Sequence, residues 1–157
     1  MRKFVLAVVL VLVASSAQAA TLNVVGGQLI GASGVIVDGS SYDVQFLDGT
    51  CIDLYSGCDD VSDFTFQSSG AAGLAAQALL DQVFLDGAGL CDTDPELTAG
   101  CTNSGACFVL TPYYAEAGSD VFAAGISNNW ALEGNDNTTT TTLFFGKNED
   151  TSSMANW

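Results

Sequence analysis

Alternating carboxylates are the residues of this sequence best suited to binding a metal ion. Asp92, Asp94 and Glu96 occupy every second position of a turn-rich segment, and carboxylate oxygens are ligands that calcium prefers. A second acidic cluster occupies residues 59–63. Neither cluster has the glycine and glutamate spacing of an EF-hand loop. The segment is therefore interpreted either as a calcium site or as a solvated acidic loop, and no other cofactor is predicted.

Cysteines offer a second kind of chemistry. The chain contains Cys51, Cys58, Cys91, Cys101 and Cys107 but no histidine and no CxxC pair, so the pattern does not favour a zinc site. Two disulfides with one remaining thiol can be arranged in several ways. The short loops that they would close favour Cys51–Cys58 and Cys101–Cys107, which leaves Cys91 as a free or intermolecular thiol.

The sequence supplies few of the groups that catalysis requires. The absence of histidine excludes Ser-His-Asp and Cys-His arrangements, and no glycine-rich nucleotide motif occurs. Paired carboxylates could still hydrolyse glycosidic bonds. The aromatic residues that could stack on a sugar are Tyr42, Tyr55, Tyr113, Tyr114 and Trp130, although core packing explains them equally well. A non-enzymatic role is favoured, and a secreted carbohydrate-binding module or carboxylate-based glycan-active enzyme is the alternative.

In the first half of the chain, β-hairpins are the elements that are predicted to position the candidate site residues. Gly26-Gly27 separates two short apolar runs, and Asp38-Gly39 separates Val35-Ile36-Val37 from residues 41–46. Such pairs are typical of two-residue hairpin turns. Residues 42–46 alternate between apolar and polar side chains, which predicts a strand with one buried face.

One convincing helix is predicted over residues 71–84, with a serine before it as the N-cap. Phe64 and Phe66 predict a short strand, residues 108–112 a strand that ends at Pro112, and residues 138–145 a late strand. The run 121–126 fits either a helix or a strand. The predicted fold class is α+β, an antiparallel sheet of β-hairpins with one main helix packed on one face.

The start of the chain has the pattern of a secretory signal peptide. Arg2 and Lys3 precede an apolar run at residues 4–14, and Ala17-Gln18-Ala19 fits a cleavage site before Ala20. The apolar run is shorter than the roughly 20 residues that span a membrane. Export also accounts for the cysteines, since disulfides form in oxidising compartments.

The predicted organisation is a signal peptide at residues 1–19 and a single secreted domain at residues 20–157. Cleavage would leave Lys147 as the one basic side chain against 18 acidic ones, a formal charge of −17. Such a charge disfavours nucleic acid and anionic lipid as partners and favours solubility. No membrane anchor is expected after cleavage, and the oligomeric state stays open.

Much of the region after the signal resembles exported bacterial proteins of the PEP-CTERM type, which exosortase processes. The segments that carry the resemblance are TLNVVGGQLIGASGV at residues 21–35, YDVQF at 42–46, DGTC at 48–51, CD at 58–59, AAQALLDQVF at 75–84, GC at 100–101 and TPY at 111–113.

This resemblance implies an exported product of a Gram-negative bacterium, periplasmic or extracellular, that is associated with surface polysaccharide and biofilm matrix. It implies surface polysaccharide or other matrix proteins as partners, and it supplies no catalytic residues. The sorting tail of the family is lacking after residues 154–157, so the expectation is a tailless member or a truncated chain.

Overall fold

The protein is described by a computed structural model, which covers residues 20–85, 94–116, 120–129, 138–149 and 154–156. The predicted signal peptide lies outside these residues, and so do Cys91, Asp92 and Trp130.

The first sheet is a three-stranded antiparallel meander. Strands β1 (Thr21–Val25), β2 (Gln28–Val37) and β3 (Ser40–Gln45) lie in the order β1-β2-β3. Both predicted hairpin turns are confirmed. At the second turn Asp38 and Gly39 have φ values of 47° and 80°, the positive pair that a type I′ turn requires. Strand β2 belongs to both hairpins, and its ten residues lead from the first turn to the second.

The second sheet contains strands β4 (Ala106–Ala115), β5 (Asp120–Asn129), β6 (Thr138–Gly146) and β7 (Met154–Asn156) in the order β6-β5-β4-β7. Strands β4, β5 and β6 are antiparallel, and β7 runs parallel to β4. The predicted end of a strand at Pro112 is wrong, because β4 continues to Ala115. Its register shifts between Pro112 and Tyr114, and a bulge is where a strand tolerates proline.

The described residues between the two sheets include two α-helices, the single turn α1 (Cys51–Leu54) and the main helix α2 (Ser69–Gln82). The Ser68 hydroxyl accepts a hydrogen bond from the Ala71 backbone N–H at 3.3 Å, which confirms a serine N-cap. The helix begins and ends two residues before the predicted bounds. Its buried face is mostly alanine, and this small-residue face packs against β2, β4, β5 and β6.

The strand predicted around Phe64 and Phe66 is wrong. Residues Val61–Asp63 form a 3-10 helix, and both phenylalanines follow in an irregular segment with buried rings. The carboxylates of Asp60 and Asp63 accept hydrogen bonds from backbone N–H groups at the start of this turn. These caps stabilise the turn. Phe64 and Phe66 are therefore buried at alternate positions although their segment is not a strand.

The apolar interior forms two clusters on opposite faces of the second sheet. The main core joins α2 to the first sheet and to Val109, Ala124 and Ile126. The second core joins Leu110 and Val121 to the α1 region. The predicted α+β class, with hairpins and one main helix, is confirmed, and its strands are divided between two sheets.

Candidate functional site

Three aromatic side chains lie side by side across the second sheet. Tyr114 on β4 is opposite Phe122 on β5, and Phe122 is opposite Phe144 on β6. The ring centroids of neighbouring residues are 5.7 Å and 6.5 Å apart. We call these three residues the aromatic row. They belong to three consecutive strands, so the row depends on the register of the whole sheet.

The aromatic row is open to solvent although it lies on the sheet face that α2 covers elsewhere. Strand alternation places Phe122 on the same face as Ala124 and Ile126, which pack in the main core with α2. The exposed fraction nevertheless reaches 43% for Tyr114 and 73% for Phe144. An exposed cluster of large apolar side chains is typical of a binding surface.

The bulge in β4 decides which tyrosine joins the aromatic row. The register shift between Pro112 and Tyr114 leaves Tyr113 as the extra residue, and Tyr113 packs against the main core. Tyr114 then pairs with Phe122 on the open part of the sheet. Adjacent tyrosines of identical chemistry therefore have different roles.

Carboxylates border the aromatic row at the β4–β5 connection. Asp120 lies two residues before Phe122 on β5 and therefore on the same face of the sheet. The Glu116 backbone N–H donates a hydrogen bond of 2.9 Å to the Asp120 carbonyl oxygen, which holds Glu116 beside this end of the row. Aromatic faces next to hydrogen-bond acceptors suit a ligand that carries both C–H surfaces and hydroxyl groups.

A pocket lies where the β2–β3 hairpin meets the first half of α2. Asp38 and Ser40 come from the hairpin, Tyr42 from β3, Phe66 from the segment before α2 and Leu74 from α2 itself. The pocket has a volume of about 160 Å³. The rings of Tyr42 and Phe66 are 5.3 Å apart at their centroids and tilted by 51°. We call this site the hairpin–helix pocket.

The predicted calcium ligands are only partly described. Asp94 is exposed, and its carbonyl oxygen accepts a hydrogen bond from Leu97 N–H at the start of the 3-10 turn Pro95–Leu97. One carboxylate oxygen of Glu96 is buried without a hydrogen-bond partner among the described residues. Within the described ranges no group of three or more cysteine, aspartate or glutamate side chains is placed to hold a metal ion. Asp92 lies outside those ranges, so the calcium site stays a prediction.

The second acidic cluster has a structural role. Asp60 Oδ1 accepts hydrogen bonds of 2.8 Å from both the backbone N–H and the hydroxyl of Ser62. These bonds hold the pKa of the Asp60 carboxyl below its ordinary value, the backbone bond most strongly. Asp63 Oδ2 accepts from the backbone N–H groups of Asp59 and Asp60. Both carboxylates therefore cap the turn.

Disulfide bonding is confirmed. The structure contains Cys51–Cys58 and Cys101–Cys107, the pairs that lie closest in sequence. The first disulfide is buried in the second core and the second in the main core. The thiol of Cys91 lies outside the described residues.

The predicted aromatic residues separate into different environments. Tyr55 packs edge-on against Phe64 at 5.3 Å, and burial raises the pKa of its phenol. Tyr42 lines the pocket, Tyr113 packs on the core and Tyr114 belongs to the aromatic row. Sequence reasoning missed Phe122 and Phe144, because only the strand register brings them beside Tyr114.

Comparison with protein-family models, with curated proteins and with solved structures found no match to this chain. Among the described residues, no helix combines the length and the apolar character needed to cross a membrane. The fold class and the two surfaces are therefore the basis for a functional proposal.

Proposed function

We propose that this chain is an exported, non-enzymatic protein of the cell surface or extracellular matrix, and that it binds polysaccharide through the aromatic row. The observation that carries the proposal is the row of Tyr114, Phe122 and Phe144 across three adjacent strands, in which the two outer rings are exposed and the middle ring is half-buried. A row of rings on a sheet face is an extended platform, and a polysaccharide is an extended ligand with repeated apolar C–H faces.

The energetic argument rests on the exposed ring surface. Water covers most of Phe144, and removing apolar surface from water contributes roughly 25 cal/mol per Å². Stacking of a sugar ring on Phe144 and Tyr114 removes such surface from both partners. The adjoining Asp120 and Glu116 carboxylates can accept hydrogen bonds from sugar hydroxyls. The rings together with these carboxylates favour a neutral glycan as the ligand over an anionic one, because the negative charges of Asp120 and Glu116 would repel an anionic glycan.

Export and a matrix location are supported by the signal-peptide pattern, the two disulfides and the resemblance to PEP-CTERM proteins. Disulfides are typical of oxidising compartments, which include the periplasm and the cell exterior. The proposed setting is therefore the periplasm or the surroundings of a Gram-negative bacterium, with surface polysaccharide or other matrix proteins as partners.

The test is binding of the exported protein to a glycan array and to neutral exopolysaccharide purified from the producing bacterium. We expect Phe144→Ala and Tyr114→Ala each to weaken binding by about five- to thirty-fold, since an anchoring aromatic residue contributes on the order of 1–2 kcal/mol. Val25→Ala is the matched control, because Val25 is 62% exposed on the other sheet.

Three results would contradict the proposal. Binding that is unchanged in both aromatic variants, or an array without any bound glycan, would remove the role of the aromatic row. Release of shortened glycans during incubation would instead refute the non-enzymatic part and favour a carboxylate-based hydrolase.

A further inference from the structure

We propose that the hairpin–helix pocket binds a basic side chain, lysine or arginine, of a partner protein. This site is separate from the aromatic row, and its argument does not depend on polysaccharide binding. Its residues come from the β2–β3 hairpin, from α2 and from the segment before α2, whereas the aromatic row belongs to the second sheet.

The lining of the pocket has the chemistry of a cation site. The faces of aromatic rings carry partial negative charge, and Tyr42 and Phe66 present a tilted pair of rings. Asp38 is the one charged residue of the lining and adds a carboxylate. Both kinds of group attract a cation, and neither attracts an anion.

The size of the pocket fits a side chain better than a free metabolite. Its volume of about 160 Å³ is below the roughly 300–1,000 Å³ of ordinary small-molecule sites. Leu74 and Phe66 supply apolar surface for an aliphatic stem, and Asp38 supplies the counter-charge for its end. Lysine and arginine combine such a stem with a charged end.

Charge complementarity indicates that the occupant comes from another molecule. The chain has 18 acidic residues against three basic ones, two of which are Arg2 and Lys3 in the predicted signal peptide. A partner with basic side chains is attracted by the net charge and then anchored by the pocket. Leu74, 53% exposed beside the pocket, gives such a partner apolar surface to cover.

The test is a titration of the ¹⁵N-labelled, exported and disulfide-bonded protein with Nα-acetyl-lysine amide. Nα-acetyl-norleucine amide is the neutral probe of similar shape. We expect the lysine probe to shift the amide signals of Ser40, Phe66 and Leu74, and to bind more tightly than the norleucine probe.

Substitutions locate the site. Asp38→Asn removes the charge but keeps a residue that tolerates the positive φ of the turn, so the hairpin is retained. We expect it to weaken the lysine probe by about two- to five-fold, as for an exposed ion pair. Leu74→Ala, on the exposed side of α2, should also weaken it. Asp48→Asn is the control, an exposed acid in the segment between β3 and α1.

Three outcomes would overturn the proposal. Equal affinity for the two probes would show that the charge of the lysine probe does not contribute to binding. Equal weakening by Asp38→Asn and Asp48→Asn would show that the net charge of the chain, and not the pocket, attracts the lysine probe. Tighter binding of tetramethylammonium than of the lysine probe would make the ligand a free organic cation instead of a partner side chain.

Discussion

Replacing a glycine by alanine is expected to change the stability of this protein in opposite directions at two positions, Gly31 and Gly73. Gly31 lies on β2 opposite Gln45, and a Cβ atom there would collide with the Val44 carbonyl oxygen. Gly73 lies within α2, and a Cβ atom there would meet nothing within 4 Å. The same substitution therefore has a different physical consequence at each position.

We expect Gly31→Ala to lower the free energy of unfolding by about 1–3 kcal/mol, because the strands must separate to admit the methyl group. We expect Gly73→Ala to raise it by about 0.5–1 kcal/mol, because alanine favours the helix. Urea unfolding of the two disulfide-bonded variants measures both. Midpoints that move in the same direction would contradict the difference between the crowded Gly31 and the open Gly73.

Residue types alone identified only part of the candidate surfaces. Tyr42 and Tyr114 were predicted as sugar-stacking residues, and both lie on the candidate surfaces. Phe66, Phe122 and Phe144 were not singled out for binding, because an isolated phenylalanine in a sequence is most simply a core residue. The exposed position of Phe144 follows from the place of its strand, because β6 pairs with β5 on the side away from β4.

Between elements, the side chain of Gln82 links the main helix to the first sheet by hydrogen bonds. The Gln82 side-chain amide donates to the Ile36 carbonyl oxygen and accepts from the Ile36 N–H, both at 2.8 Å. The pairing of β1 with β2 stops at Ser33, so Ile36 lies beyond the end of that neighbouring strand. Gln82 therefore occupies the place that another strand would take.

We expect Gln82→Ala to lower the free energy of unfolding by about 1–2 kcal/mol, since it removes two hydrogen bonds to a strand. Asp81→Ala is the control on the same helix, because it removes the hydrogen bond of 2.9 Å that the Gln77 amide donates to the exposed Asp81 carboxylate one turn away. That pair contributes about 0.2–0.5 kcal/mol. Equal losses for the two variants, measured by urea unfolding, would contradict a special role for Gln82.

Elements with strong local signals were predicted well. The Asp38-Gly39 turn, the serine N-cap and the late strand β6 each depend on a few neighbouring residues. The predictions failed where distant partners decide. Pro112 stays inside β4 because β5 pairs on both sides of the bulge, and Phe64 and Phe66 are buried without a strand.

Over the whole molecule, the two disulfides stabilise different cores. Cys101–Cys107 closes a separation of six residues within the main core, and Cys51–Cys58 closes one of seven within the second core. Loops of such similar length restrict the unfolded chain by similar amounts.

We expect Cys51→Ala with Cys58→Ala, and Cys101→Ala with Cys107→Ala, each to lower the free energy of unfolding by about 2–3 kcal/mol. Both double variants are made in a Cys91→Ala background, which prevents thiol exchange and serves as the reference. Urea unfolding followed by far-ultraviolet circular dichroism measures the loss. A double variant as stable as its reference would show that its disulfide does not stabilise the fold.

The α+β class, the hairpin turns, the main helix and the acidic charge can be predicted from the amino-acid sequence, because each depends on composition or on contacts between near neighbours. Long-range contacts divide the strands between two sheets, and they create the aromatic row and the hairpin–helix pocket. Both surfaces join residues far apart in the chain, such as Tyr114 with Phe144 and Asp38 with Leu74. Strand register and helix packing create those neighbours, and neither is encoded in local spacing.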